Sequence, residues 1–219
     1  CWPDDRYSWW TMANVHRRRG EYERAEKAAY RAIELAPEST LPALHKFLGG
    51  LYHASGEYGK AAEHYRRTLE LAPDYPGVLP WLGDALALAG EYEEAEDVLN
   101  QALEEEAPAD PRTYLGLGLL HGELGEPEVA EEYWRPALEL DPDATEARRQ
   151  LGWTLVRTGR YEEAVEQFET ALEANPDDYW SQRYLARALR RTGRYEEAAE
   201  HLEAAHQLDR SDPTAFSMA

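Results

Sequence analysis

The chain has 219 residues, 43% of them hydrophobic, and a formal net charge of −20. It is long enough for one or two ordinary domains. So strong a deficit of cations argues against a nucleic-acid backbone as the main ligand, and no run of about 18 apolar residues exists to cross a membrane. The acidity is local. Residues 68–147 hold 21 Asp and Glu against only Arg112 and Arg135, a net of −19, whereas residues 1–67 come to +2 and residues 148–219 to −3. A strongly anionic belt therefore lies between two nearly neutral ends. The single cysteine, Cys1, excludes an internal disulfide and a thiolate metal cluster.

In chain order, residues 1–5 form a short extension, and the first ten residues make an aromatic-rich opening with Trp2, Tyr7, Trp9 and Trp10. From there the chain repeats. Gly20, Gly56, Gly90, Gly125, Gly159 and Gly193 stand 36, 34, 35, 34 and 34 residues apart, each followed five residues later by an alanine: Ala25, Ala61, Ala95, Ala130, Ala164, Ala198. Two stretches of roughly 14 residues with helical spacing flank each glycine. The units run at about 6–41, 42–75, 76–110, 111–144, 145–178 and 179–212. One such unit cannot bury its own apolar face, so units must stack on neighbours. Pro37, Pro73, Pro108, Pro142 and Pro176 end the second helices, because proline lacks the amide donor and clashes with the preceding turn.

Departures from the period locate irregular packing. In the first unit Ala29 stands where later units carry a large residue, so Trp9 or Trp10 is expected to fill that space. In the second, Thr68 replaces a small apolar residue, and the third has one extra residue near 104–107. In the fourth, Pro127 suits a helix start, whereas Pro136 falls near the end of a second helix and predicts early termination or a bend. The fifth unit is the most regular: Leu151, Gly152 and Leu155 share one face of its first helix, and Ala164, Phe168 and Ala171 one face of its second. Residues 213–219 have the register of a seventh first helix, cut off halfway.

The segment LGWTLVRTGRYEEAVEQFETALEANPDD, residues 151–178, resembles the tetratricopeptide repeat. Small residues recur in the first helices at Ala13, Gly49, Gly83, Gly118, Gly152 and Ala186, and turn aromatics at Tyr22, Tyr58, Tyr92, Tyr161 and Tyr195. The resemblance covers residues 6 to about 212. It implies an all-α, right-handed superhelical solenoid of six helix-turn-helix hairpins plus a C-terminal helical stub, and a non-enzymatic scaffold that holds a peptide or protein segment in a groove lined by first helices.

On the first helices of units one, five and six, that groove would present Trp10, Asn14, Arg17, Arg149, Trp153, Trp180, Arg183, Tyr184, Arg187, Arg190 and Arg191. Arg183, Arg187, Arg190 and Arg191 share one helical face. Guanidinium forks suit carboxylates and aromatic faces add stacking, so an acidic peptide is the expected ligand. The alternative is that these arginines pair with glutamates of adjacent helices. In the middle units the same surface reads as a smooth apolar stripe, Trp81, Leu115 and Leu119, which either receives a partner or tightens packing between repeats. No phosphate-cradling, nucleophile-elbow or zinc-protease motif occurs, and no cofactor, metal or enzymatic activity is expected.

Two further expectations concern the ends. The unfinished seventh helix, with Phe216 and Met218, could meet Trp2, Tyr7, Trp9 and Trp10 of another copy, giving head-to-tail filaments. Cys1 resembles the residue before which bacterial lipoproteins are cleaved and which then carries lipid, implying an extracytoplasmic, lipid-anchored protein; a trimmed or partial sequence gives the same opening, with a cytoplasmic compartment.

Overall fold

The computed structural model describes residues 5–105 and 110–211. Among these residues the chain is all-α. Its twelve helices are α1 Arg6–Arg18, α2 Tyr22–Glu34, α3 Leu41–Ala54, α4 Tyr58–Leu71, α5 Leu79–Ala89, α6 Tyr92–Glu105, α7 Pro111–Leu124, α8 Pro127–Leu140, α9 Thr145–Arg157, α10 Tyr161–Ala174, α11 Tyr179–Arg191 and α12 Tyr195–Ser211, with a 3₁₀ turn at Glu38–Thr40. Each odd-numbered helix turns into the next even-numbered one. The hairpins group into two compact units, residues 1–116 and 117–219, with the boundary inside α7.

The turn within each hairpin follows from its glycine. Gly20, Gly56, Gly90, Gly125, Gly159 and Gly193 adopt φ between +72° and +85°, the left-handed region that costs glycine least. Each turn then closes as a Schellman motif: the amide after the glycine donates back to the first helix, as from Arg160 to the Leu155 carbonyl at 2.8 Å and from Arg194 to the Leu189 carbonyl at 2.9 Å.

The core of a hairpin is a glycine on the first helix facing a large side chain on the second. A β-carbon added at Gly49 would lie 2.6 Å from the Tyr65 ring, at Gly118 2.7 Å from Trp134, and at Gly152 2.8 Å from Phe168. Tyr65, Trp134 and Phe168 are at most 1% exposed. Ala25, Ala61, Ala95, Ala130 and Ala164 are wholly buried beside these contacts, and Ala198 nearly so. The first hairpin departs from the scheme, with alanine at both positions, Ala13 and Ala29, each fully buried. Of the two residues expected to fill the space beside Ala29, Trp10 packs instead on Phe47 of α3 at 4.8 Å, and Trp9 is half-buried.

Two departures resolve differently. Thr68 is buried where other units have alanine, and its hydroxyl donates to the His64 carbonyl at 3.0 Å, so burial leaves no polar group unmet. Pro136 does not end its helix early. α8 runs on to Leu140 and is as long as α10. The proline lies next to exposed Arg135, and the carbonyl its missing N–H would have engaged belongs to exposed Glu132, where water can substitute. The expected half-helix at 213–219 and the extension at 1–4 lie outside the described residues.

Candidate functional site

α11 starts at an N-cap, Asp178, whose carboxylate accepts from the Ser181 amide at 3.1 Å. Its inner face, Leu185, Ala186, Ala188 and Leu189, is buried, and Gln182 anchors the helix by donating to the Pro176 carbonyl at 3.0 Å and contacting the His201 ring of α12 at 2.6 Å. The 3.6-residue period leaves Trp180, Arg183, Arg187, Arg190 and Arg191 exposed.

α9 supplies the other wall. The Trp153 ring stacks on Tyr184 at 4.6 Å, and Tyr184 on Trp180 at 5.7 Å, both with an interplanar angle of 26°. Tyr184 is rooted in the core by Phe168, 6.0 Å away. The Arg187 guanidinium lies 5.2 Å from the Trp153 ring centre, and Arg183 lies 5.9 Å from that of Trp180 while donating to the Tyr179 hydroxyl at 3.0 Å. Trp153, Trp180, Arg183, Tyr184 and Arg187, with Ala186 and Arg190 of α11 and Leu202 of α12, line an open cavity of about 560 Å³ within the second unit.

The arginines sort by helix. Those of the second helices and their turns are spent on carboxylates: Arg66 on Glu91 and Glu94, Arg160 on Glu131 and Glu163, Arg194 on Glu169 and Glu197. Burial works to raise the Glu131 carboxyl, but Arg160 and Arg135 outweigh it and hold the group below the usual range. Among the described residues, Arg183, Arg187, Arg190 and Arg191 pair with no carboxylate. A guanidinium lying over a ring keeps its in-plane N–H donors available to an incoming anion.

Other expected site residues are placed less uniformly. Arg191 leans over Tyr161 at 4.9 Å and does not line the cavity. Arg149 pairs with Glu146 of its own helix and lies 4.0 Å from Asp178, the N-cap of α11, so it is engaged by carboxylates, though not by a glutamate of an adjacent helix. Asn14 donates to the carbonyl of Trp10 at 3.0 Å, within its own helix. In the first unit Arg17 sits 5.6 Å from the Phe47 ring. The stripe expected to be smooth and apolar is not so at Trp81: the Arg112 guanidinium covers that ring at 3.6 Å, and His53, paired with Asp84 at 2.7 Å, meets it edge-on. Leu115 and Leu119 are half-buried on α7. At the N-terminal end Tyr7 is 66% exposed, while Cys1, Trp2, Phe216 and Met218 lie outside the described residues.

Sequence reasoning missed Phe47, Arg112 and Leu202. Phe47 shares its register with Trp81 and Tyr184, a signal that was available. Leu202 occupies the large-residue position of its hairpin, but Ala186 faces it where glycine faces Phe168, and Leu202 is 51% exposed.

Three models of the family described as tetratricopeptide repeat match the chain, at residues 5–74, at 52–119, and at 115–179 and 149–213. No curated protein matches. Among solved structures, pilF of Pseudomonas aeruginosa is similar over 95% of this chain and 92% of its own, with a TM-score of 0.79 and 23% identity. YrrB, described as a TPR protein with an unusual peptide-binding site, is similar over 86% and 96%, with a TM-score of 0.63 and 26% identity. MamA is similar over 83% and 98%, with a TM-score of 0.65 and 18% identity.

Proposed function

This chain belongs to the tetratricopeptide-repeat family, and on that premise we propose that it is a non-enzymatic protein-interaction scaffold whose second unit receives an acidic segment of a partner protein between α9, α11 and α12. The observation that carries the reading is the partition of arginines. In a protein with 43 acidic residues, the guanidiniums on the outer face of α11 pair with no carboxylate among the described residues, and three of them, Arg183, Arg187 and Arg190, line a cavity walled by stacked aromatics. Such a surface supplies charge-assisted hydrogen bonds and an apolar contact at once, in a groove that is already formed. The likeness to YrrB, whose description names a peptide-binding site, agrees with this use of the fold.

Catalysis has no comparable support. Glu91, Glu94, Glu131 and Glu163 are engaged by arginines, and the His53 and His121 rings by Asp84 and Glu126.

The test is titration of an acidic peptide into the protein, followed by tryptophan fluorescence, since Trp153 and Trp180 line the cavity. Reversing Arg183 and Arg187 to glutamate together is expected to weaken binding about tenfold or more, the equivalent of some 1.4 kcal/mol. Raising salt from about 0.05 to 0.5 M should weaken it too, because exposed charges are screened over about 8 Å at physiological ionic strength. Arg191→Glu, outside the cavity lining, should matter least. Capture that is indifferent to both the double reversal and salt would rule the electrostatic groove out.

A further inference from the structure

The three cavity arginines are placed with helical periodicity, and two of them are held there. Arg183, Arg187 and Arg190 follow one another at four and three residues along α11, which sets them at about 0, 6 and 10.5 Å along its axis. Arg183 is tied by the Tyr179 hydroxyl and the Trp180 ring, and Arg187 by the Trp153 ring. The helix spaces all three as marks on a ruler, with the first two fixed in place. Apolar contacts flank the row, with Trp153 and Tyr184 on the α9 side and Leu202 on α12.

We infer that the acidic segment binds as a helix laid along α11, its carboxylates recurring every three or four residues, with large apolar side chains beside them that reach Trp180 and Leu202. A second helix has the same rise per residue as α11, so carboxylates spaced four and three residues apart, or three and four in the opposite direction, meet all three guanidiniums together. An extended segment presents same-side residues about 6.8 Å apart, and its third carboxylate falls about 3 Å beyond the third arginine. Charge also selects the occupant: among the described residues the arginine row is paired with no carboxylate, whereas Trp180 and Leu202 are 45% and 51% exposed and offer apolar surface for the segment's own apolar side chains. The inference rests on the acidic-segment reading and adds its conformation and register.

Two peptides matched in length and in number of glutamates separate the possibilities when titrated into the intact protein. One is lactam-stapled as a helix, with three glutamates spaced four and three residues apart and a leucine beside them. The other carries the same three glutamates and leucine, with glutamate at every second position and a proline at its centre. The helical peptide is expected to bind at least tenfold more tightly, and Arg190→Gln should erase most of that preference, because it removes the third mark of the ruler. Equal or tighter binding of the extended peptide overturns the helical register and leaves the acidic-segment reading in place. Failure of both peptides to bind overturns the two together.

Discussion

At the scale of single residues, the most unusual environment lies away from the groove, at the seam of the first unit. The Nδ1 atoms of His45 on α3 and His64 on α4 are 3.0 Å apart, so one ring must donate to the lone pair of the other. The Tyr30 hydroxyl lies 3.2 Å from the far nitrogen of His64, and the Tyr52 ring stacks on it at 5.3 Å while donating to Glu26 at 2.6 Å. Burial, with His45 alongside, pushes His64 down to about 4; burial, with Arg67 nearby, pushes His45 down as well. Glu26 and Glu70 oppose these shifts without reversing them. Because both folded-state values lie below the unfolded value of about 6.5, the unfolded chain binds these protons more readily. Stability is therefore unaffected above about pH 6.5 and falls as pH drops towards 4. His64→Gln is expected to flatten the dependence of the urea midpoint on pH between about 6.5 and 4.5, above the range where most carboxylates titrate. An unchanged slope would place the acid sensitivity elsewhere.

At the scale of helices, neighbouring glycines in α3 carry opposite duties. Gly49 is required by contact: an added methyl would meet the buried Tyr65 ring at 2.6 Å. Gly50 is not, since the same methyl finds only the Tyr65 hydroxyl at an ordinary 3.7 Å. Gly50→Ala should stabilise by up to about 1 kcal/mol, the helix-propensity difference. Gly49→Ala gains the same propensity but overpacks the seam at a cost of about 1 to 3 kcal/mol, so it should be neutral to destabilising. Denaturant midpoints of the two variants should thus move apart. A Gly49→Ala variant as stable as Gly50→Ala would mean that α3 and α4 can separate without penalty. Ala164→Leu, at a position with no exposure, is expected to lose about 1 to 3 kcal/mol by the same overpacking.

Across the whole molecule, two electrostatic effects compete. Cross-hairpin ion pairs such as Arg66 with Glu91 and Arg194 with Glu169 favour the fold, but exposed pairs are each worth only about 0 to 1 kcal/mol. Against them stands a net charge of −20, concentrated in residues 68–147, whose self-repulsion opposes the compact state. Salt screens the attraction and the repulsion alike, so the response of stability to salt takes its sign from whichever is stronger. With so large an excess of carboxylates that is the repulsion, and the thermal midpoint is expected to rise as sodium chloride goes from about 0.01 to 0.15 M. A fall would show that the ion pairs outweigh the repulsion.

Helices, turns and family were legible in the amino-acid order because they depend on short-range rules that repeat: a glycine whose left-handed φ closes each turn, and small residues set opposite large ones at fixed register. The arginine row of α11 was legible for the same reason, since helical periodicity alone puts Arg183, Arg187 and Arg190 on one face. Which guanidiniums remain without carboxylates was not. Arg149 and Arg187 are both arginines on first helices, yet Arg149, besides pairing with Glu146 of its own helix, has Asp178 at the start of α11 4.0 Å away, whereas Arg187 rests on Trp153, because the wider environment depends on what a neighbouring helix brings within about 4 Å. Tertiary packing likewise decided that Arg112 covers Trp81, that Leu202 remains exposed beside Ala186, and that α8 continues through Pro136. Each is settled by contacts or solvent access across helices, which linear spacing does not encode.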